Sequence, residues 1–265
     1  MTSRETLVKL QRISSALAAE CDALRFGPKV RAVYNPLVYA ARPHKKFLEL
    51  AAAASGCAGS CPPKKVIFLG MNPGPWGMAQ TGVPFGEIAA VRDWLGIEEA
   101  VDKPGTLAGG REHPKRPIEG FACTRSEVSG RRLWGLFRER FGTPEKFFRE
   151  HFVANYCPLV FMDTGGANIT PDKLPAQETF PLFEACDRAL AATIKVLEPR
   201  WLIGVGAFAK KRIDKVRKEF FGTESAAKTP AFSTAQILHP SPANPRANAG
   251  WDKEVTRTLV ELDIW

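Results

Sequence analysis

No apolar run in the 265 residues approaches the roughly 20 residues that a bilayer-spanning helix needs. The N-terminus, Met1-Thr2-Ser3-Arg4-Glu5, has no apolar core behind its charges, so a secretory signal is not expected. Cysteine is too irregular for a disulfide framework. There are six, and the close pair Cys57-x3-Cys61 has no second pair and no histidine beside it. A reduced, intracellular protein with no metal and no redox cofactor is expected. Acidic residues fall short of basic ones, 28 against 37, which leaves a net charge of +9. That balance suits a polyanionic partner, most simply nucleic acid.

What is present is ordinary in bulk and specific in its loops. The 45% hydrophobic content is that of a globular chain. The length fits one α/β domain over residues 1–265, with an N-terminal helical extension at about 1–30. Leu7, Leu10, Ile13, Leu17, Cys21 and Leu24 predict an amphipathic helix over 5–24, and 45–54 reads as a second, short one. A strand is predicted at 64–70, followed by a Gly/Pro-rich loop and a helix-like stretch from Glu87 to Leu95. Residues 98–130 are broken by Gly and Pro and carry basic residues, with a helix from about Ser129 to Phe141. Further strands are expected at 152–159, 201–206 and 235–238, and helices at 179–197, 207–220 and 249–262. This alternation implies a three-layer α/β/α fold around a central, mostly parallel four-stranded sheet.

Three of the predicted strands run into polar loops, which present Asn72, Asn155 and His239. In a parallel sheet such ends share one rim, where open α/β sheets build their ligand sites. Taken singly, Asn72 could do no more than shape an Asn-Pro turn, and His239 could be a structural strand-end histidine.

Two stretches change that reading. GMNPGPWGMAQTGVPFGE (70–87) and HPSPANPRANAGW (239–251) resemble the signature motifs of the single-strand-selective monofunctional uracil-DNA glycosylases, a family within the uracil-DNA glycosylase superfamily. The likeness extends to Glu112-His113-Pro114-Lys115-Arg116-Pro117, to Ser126-Glu127-Val128-Ser129-Gly130 and to Asn155-Tyr156-Cys157-Pro158-Leu159, and covers roughly 30–262. It implies a DNA repair enzyme that flips uracil, with 5-hydroxymethyluracil and related oxidised pyrimidines, into a pocket and hydrolyses the N-glycosidic bond. It implies that Asn72 orients the attacking water and that His239 stabilises the O2 side of the departing base. It also implies that Asn155 reads the base edge, that Phe85 stacks on the ring, and that Gly74 and Met78, with Met71 beside them, line the pocket.

The same resemblance makes Pro240, Ser241, Pro242, Ala243, Asn244, Pro245 and Arg246 a wedge that enters the duplex. Vertebrate members carry Arg where this chain has Ala243, and Phe is usual where it has Trp76. Single- and double-stranded uracil-containing DNA is the expected partner of a monomeric protein. The expected location is the nucleoid of a bacterium or the nucleus of a eukaryote. The Lys and Arg of 207–220 and 111–132 are expected to meet phosphates as regions rather than singly. Other readings are a mismatch-directed glycosylase of another branch and a catalytically silent DNA-binding protein on the same fold. A phosphate cradle is disfavoured, because the loop lacks G-x-x-x-x-G-K-[ST] and its prolines remove amide donors.

Overall fold

The computed structural model describes residues 1–53, 62–105, 112–222 and 232–265. Helix α1 (Ser3–Asp22) starts at a capping box, in which the Thr2 hydroxyl accepts from the Glu5 N–H and the Glu5 carboxylate accepts from the Thr2 N–H. Then follow β1 (Ala32–Tyr34), α2 (Pro36–Tyr39), α3 (Ala41–Ala52), β2 (Val66–Gly70) and α4 (Met78–Thr81). After a π-helical turn at Ala90–Trp94 come α5 (Val128–Phe141), α6 (Pro144–Glu150), β3 (His151–Asn155), β4 (Val160–Met162) and β5 (Asn168–Ile169). The chain ends with α7 (Ala176–Leu197), β6 (Trp201–Val205), α8 (Ala207–Phe221), β7 (Ser233–Ile237), α9 (Pro245–Asn248) and α10 (Trp251–Glu261).

The expected four-stranded sheet is present and wholly parallel, in the order β3-β2-β6-β7. Every residue of β2 is buried, as a central strand covered on both faces requires. Phe68 meets Phe137 of α5 at 5.0 Å between ring centroids. Phe152, in register with Ile67 and so turned to the opposite face, stacks on Phe47 of α3 at 5.6 Å. Helix α8 lies along β6 and β7 and against α7, and α1 packs on α7 and α3.

Several elements differ from the sequence reading. A second sheet, antiparallel and in the order β1-β4-β5, was not foreseen. Its strands have 2 or 3 residues each, too few to show a period. Helix α6 was missed for the same reason, although Thr143 caps it and Pro144 opens it. The stretch from Glu87 to Leu95 holds a π-turn rather than a plain helix. The expected last helix is present as α10, and the short α9 before it, parted from it at Gly250 with φ of 136°, was not foreseen. Cys57, Cys61 and Arg111 lie outside the described residues. Cys21, Cys123, Cys157 and Cys186 are free and buried.

Candidate functional site

Four carboxyl-terminal strand ends meet on one rim, and a cavity of about 320 Å³ opens there. The chain runs from β2 to one neighbour, β3, and then across to the other side, to β6. The cavity therefore sits where the order of winding reverses, the expected place for a ligand. Its lining includes Met71, Asn72, Gly74, Met78, Phe85, Asn155 and His239, so these sequence-predicted residues do come together. Ser241 of the predicted wedge also lines it.

Pairing between β2 and β3 continues beyond the strands. The Tyr156 N–H donates to the Gly70 carbonyl and the Cys157 N–H to the Met71 carbonyl, both at 2.9 Å. This fixes Asn72 close to the end of β3. The Asn72 Nδ2 donates to the carbonyls of Pro73 and Leu159, each at 3.3 Å. Both amide hydrogens are thereby held by backbone, and among the described residues nothing donates to Oδ1. The side chain presents a fixed acceptor and no proton-accepting base.

Asn155 stands directly opposite Gly70 in the sheet. A Cβ on Gly70 would lie 2.5 Å from the Phe85 ring and 2.6 Å from the Asn155 Oδ1, so glycine is what lets these two side chains close on the strand end. One Asn155 N–H points at the Met78 Sδ, 3.3 Å away. That leaves the second N–H and Oδ1 for a ligand. Phe85 is 7% exposed and has φ of 54°, a left-handed backbone that is costly for an aromatic residue. Strain of this kind gathers at sites that over-determine a side chain's position.

His239 follows β7, and its ring lies against Gly206 at the end of β6. Gly206 has φ of 93°, and a Cβ there would stand 3.2 Å from the His239 Cβ. The Ser241 N–H donates to the His239 Nδ1 at 3.1 Å. Nδ1 is therefore an acceptor, and in the neutral ring the proton sits on Nε2. Burial lowers the imidazole below its ordinary value and favours this neutral form.

The loop after His239 is braced. Arg132 of α5 donates to the Pro240 carbonyl and to the Asn248 Oδ1, both at 2.9 Å, and the Asn248 Nδ2 donates to the Pro242 carbonyl at 2.9 Å. The Ser241 hydroxyl accepts from the Ala243 N–H, and Asn244 caps α9. Pro242, Ala243 and Pro245 are exposed. Arg246 is turned aside into an ion pair with Glu254 at 2.6 Å.

Structure adds residues that the sequence reading passed over. Glu127, Ser129, Asn168 and Thr170 also line the cavity. The Glu127 carboxyl packs against the backbone of Gly74 and Gly77, and its Oε2 is buried without a partner. Burial, aided by Glu87, pushes it up to about 7. The motif Ser126-Glu127-Val128-Ser129-Gly130 had pointed at this place without a role. The basic stretches are corrected in part. Arg212 is not a phosphate contact, because it is buried against Asp187 at 2.5 Å and lies over the rings of Tyr156 and Phe183. His113 is buried too, with its Nδ1 accepting from the Lys115 N–H.

Residues 58–260 match the family model described as the uracil DNA glycosylase superfamily. A rat (Rattus norvegicus) protein named single-strand selective monofunctional uracil-DNA glycosylase is 45% identical over 248 residues, which is 94% of this chain and 82% of that protein. Its mouse (Mus musculus) counterpart is 44% identical, over 94% of this chain and 81% of the other. The crystal structure of Pedobacter heparinus SMUG2 superposes with a TM-score of 0.62 at 16% identity, covering 95% of this chain and 97% of the other, which supports the fold. Matched along nearly its whole length and folded alike, the chain belongs to the single-strand-selective monofunctional uracil-DNA glycosylase family of the uracil DNA glycosylase superfamily.

Proposed function

We infer that this protein removes uracil from DNA by hydrolysing the bond between the base and deoxyribose, the first step of base excision repair. The observation that carries this reading is the convergence of Asn72, Phe85, Asn155 and His239 on one cavity. The base leaves the helix and enters this cavity, with Phe85 as its stacking surface. Asn155 accepts from uracil N3–H through Oδ1 and donates to O4 through its remaining N–H. Cytosine presents the reverse pattern and leaves both groups mismatched.

As the glycosidic bond lengthens, the sugar becomes cationic and the base anionic. The His239 Nε2–H faces the O2 side and stabilises that anion without giving up its proton, a preorganised donor aimed at developing charge. Asn72 Oδ1 orients water toward the sugar. An amide is too weak a base to activate water early, so attack follows bond breaking. Among the described residues no lysine lines the cavity, so there is no amine for a Schiff base. This supports a monofunctional hydrolysis that leaves an abasic site.

Glycine at 74 admits the Glu127 carboxyl, whose Oε1 a Cβ there would meet at 2.6 Å, in place of a bulky side chain at the cavity wall, and with it we infer release of 5-hydroxymethyluracil and related oxidised pyrimidines. The braced loop Pro240–Arg246 acts as the wedge, and with Arg246 tied to Glu254 its exposed tip is Pro242-Ala243. The protein works as a monomer on single- and double-stranded DNA. A base-release panel tests the reading, with uracil, 5-hydroxymethyluracil and thymine opposite guanine, each in single and double strands. Uracil release without strand cleavage is expected. Binding of uracil-containing DNA with no base released over hours would replace it with a silent DNA-binding protein.

A further inference from the structure

Trp76 lies on the loop between Gly74 and Met78, both of which line the cavity, and its indole is partly exposed. The guanidinium carbon of Arg116 sits over the indole, 5.0 Å from its centroid, and that of Arg125 sits at 5.5 Å. A buried amide holds the arrangement together. The Gln80 Nε2 donates to the carbonyls of Pro75 and Pro117 at 3.1 and 3.0 Å, and its Oε1 accepts from the N–H groups of Glu119 and Gly120 at 2.8 and 3.1 Å. One side chain thereby pins the segment that carries the arginines against the loop that carries the indole.

Arg42, Arg188, Arg212 and Arg246 are each neutralised by a carboxylate. Among the described residues, Arg116 and Arg125 pair with none. Two cations share one ring with no anion between them, on a loop whose residues Gly74 and Met78 line the cavity. Their mutual repulsion is relieved by an incoming anion. The Arg116 Nε is buried and its Nη1 donates to the Lys115 carbonyl at 3.0 Å, which leaves Nη2 for a phosphate oxygen. Arg125 is exposed, and both guanidiniums, held over the indole, lose little freedom on binding. The guanidiniums cover the indole, so the ring orients them and leaves little face for a base to stack on.

We propose that Arg116 and Arg125, seated on Trp76, grip the phosphates of the DNA strand beside the nucleotide that enters the cavity. This rests on the DNA glycosylase reading and adds the surface by which the strand is held. The test compares the wild-type chain with Arg116→Ala/Arg125→Ala, Arg125→Ala, Trp76→Ala and Trp76→Phe. Two readouts are taken across a range of salt. One is single-turnover uracil release against enzyme concentration, and the other is fluorescence anisotropy of a uracil-free single strand.

The double variant is expected to raise the half-saturating concentration about tenfold near 0.1 M salt and to reduce the slope of log affinity against log salt by about 1 to 2. Its release rate at saturation should stay within about threefold of wild type. Arg125→Ala, at an exposed position, should show about half of the slope change. Trp76→Ala should weaken binding and Trp76→Phe should preserve it. An unchanged salt slope in the double variant overturns the proposal, as does a fall in the saturated rate without a change in affinity. If the wild-type chain releases no uracil, the glycosylase reading fails, and the anisotropy slope still decides for or against the grip.

Discussion

At Glu127 a carboxyl group is enclosed between the backbone of Gly74 and Gly77 and the floor of α5, with one oxygen unpartnered. Enclosure raises it from 4.5 to about 7, so the folded protein keeps this proton where the unfolded chain has released it. Its contribution to stability is complete below about pH 4.5 and is lost as the pH rises through about 7. Glu127→Gln stays neutral throughout. Urea midpoints measured from pH 4.5 to 8 should therefore show the wild type losing stability relative to the variant as pH rises, and a constant difference would refute the raised value. Catalytic residues make a separate prediction. His239→Ala should lower the single-turnover rate on the order of 10² to 10³-fold, the usual cost of a lost donor at developing charge. Asn72→Ala should lower it on the order of 10²-fold through loss of water positioning. DNA affinity should survive both changes, and a near-normal rate in either variant would remove that residue from the mechanism.

Among the elements, the loop between β7 and α10 shows how function depends on a brace from elsewhere. Arg132 on α5 holds both its start, at Pro240, and its end, at Asn248. Arg132→Ala frees that loop and leaves a carbonyl without its charged donor, at a cost of about 1 to 3 kcal/mol. Uracil release from duplex DNA should drop several-fold, and release from single strands should drop less, because no partner base has to be displaced. Equal losses on both substrates would show that the brace serves general packing. The elements of the main sheet were legible because their apolar runs and turn residues are local signals. So were Asn72, Phe85, Asn155 and His239, through the motifs around them. Arg132, Glu127 and Gln80 were not, because most of their partners are backbone groups far away in the chain that no residue pattern reveals: Pro240 is 108 positions from Arg132 and Pro117 is 37 from Gln80. The small antiparallel sheet escaped for want of length, yet Asn168 and Thr170 reach the cavity from it and beyond it.

For the molecule as a whole, the buried His44 and His151 bear on stability in acid. Burial lowers His44 to about 4 and His151 to about 3. His151 is packed among Phe68, Phe141 and Phe147, and neither ring nitrogen makes a well-formed hydrogen bond. Both imidazoles stay neutral in the folded protein while the unfolded chain takes up protons below about pH 6.5. Their contribution is complete above about 6.5 and is lost as the pH falls toward 4 and 3. His151→Phe should flatten this acid slope and, by removing two unpaired nitrogens, raise the melting temperature by about 2 to 4 °C. A variant that melts as steeply in acid as the wild type would locate the acid sensitivity elsewhere. The cavity carries a consequence of another kind. It is assembled from positions as far apart as Met71 and Ser241, joined through parallel strands that pair only after long stretches of intervening chain have closed. A fragment that stops before β7 lacks His239 and Ser241. During refolding, the ability to release a base is therefore the last property to return, after the helices have formed and the sheet has closed.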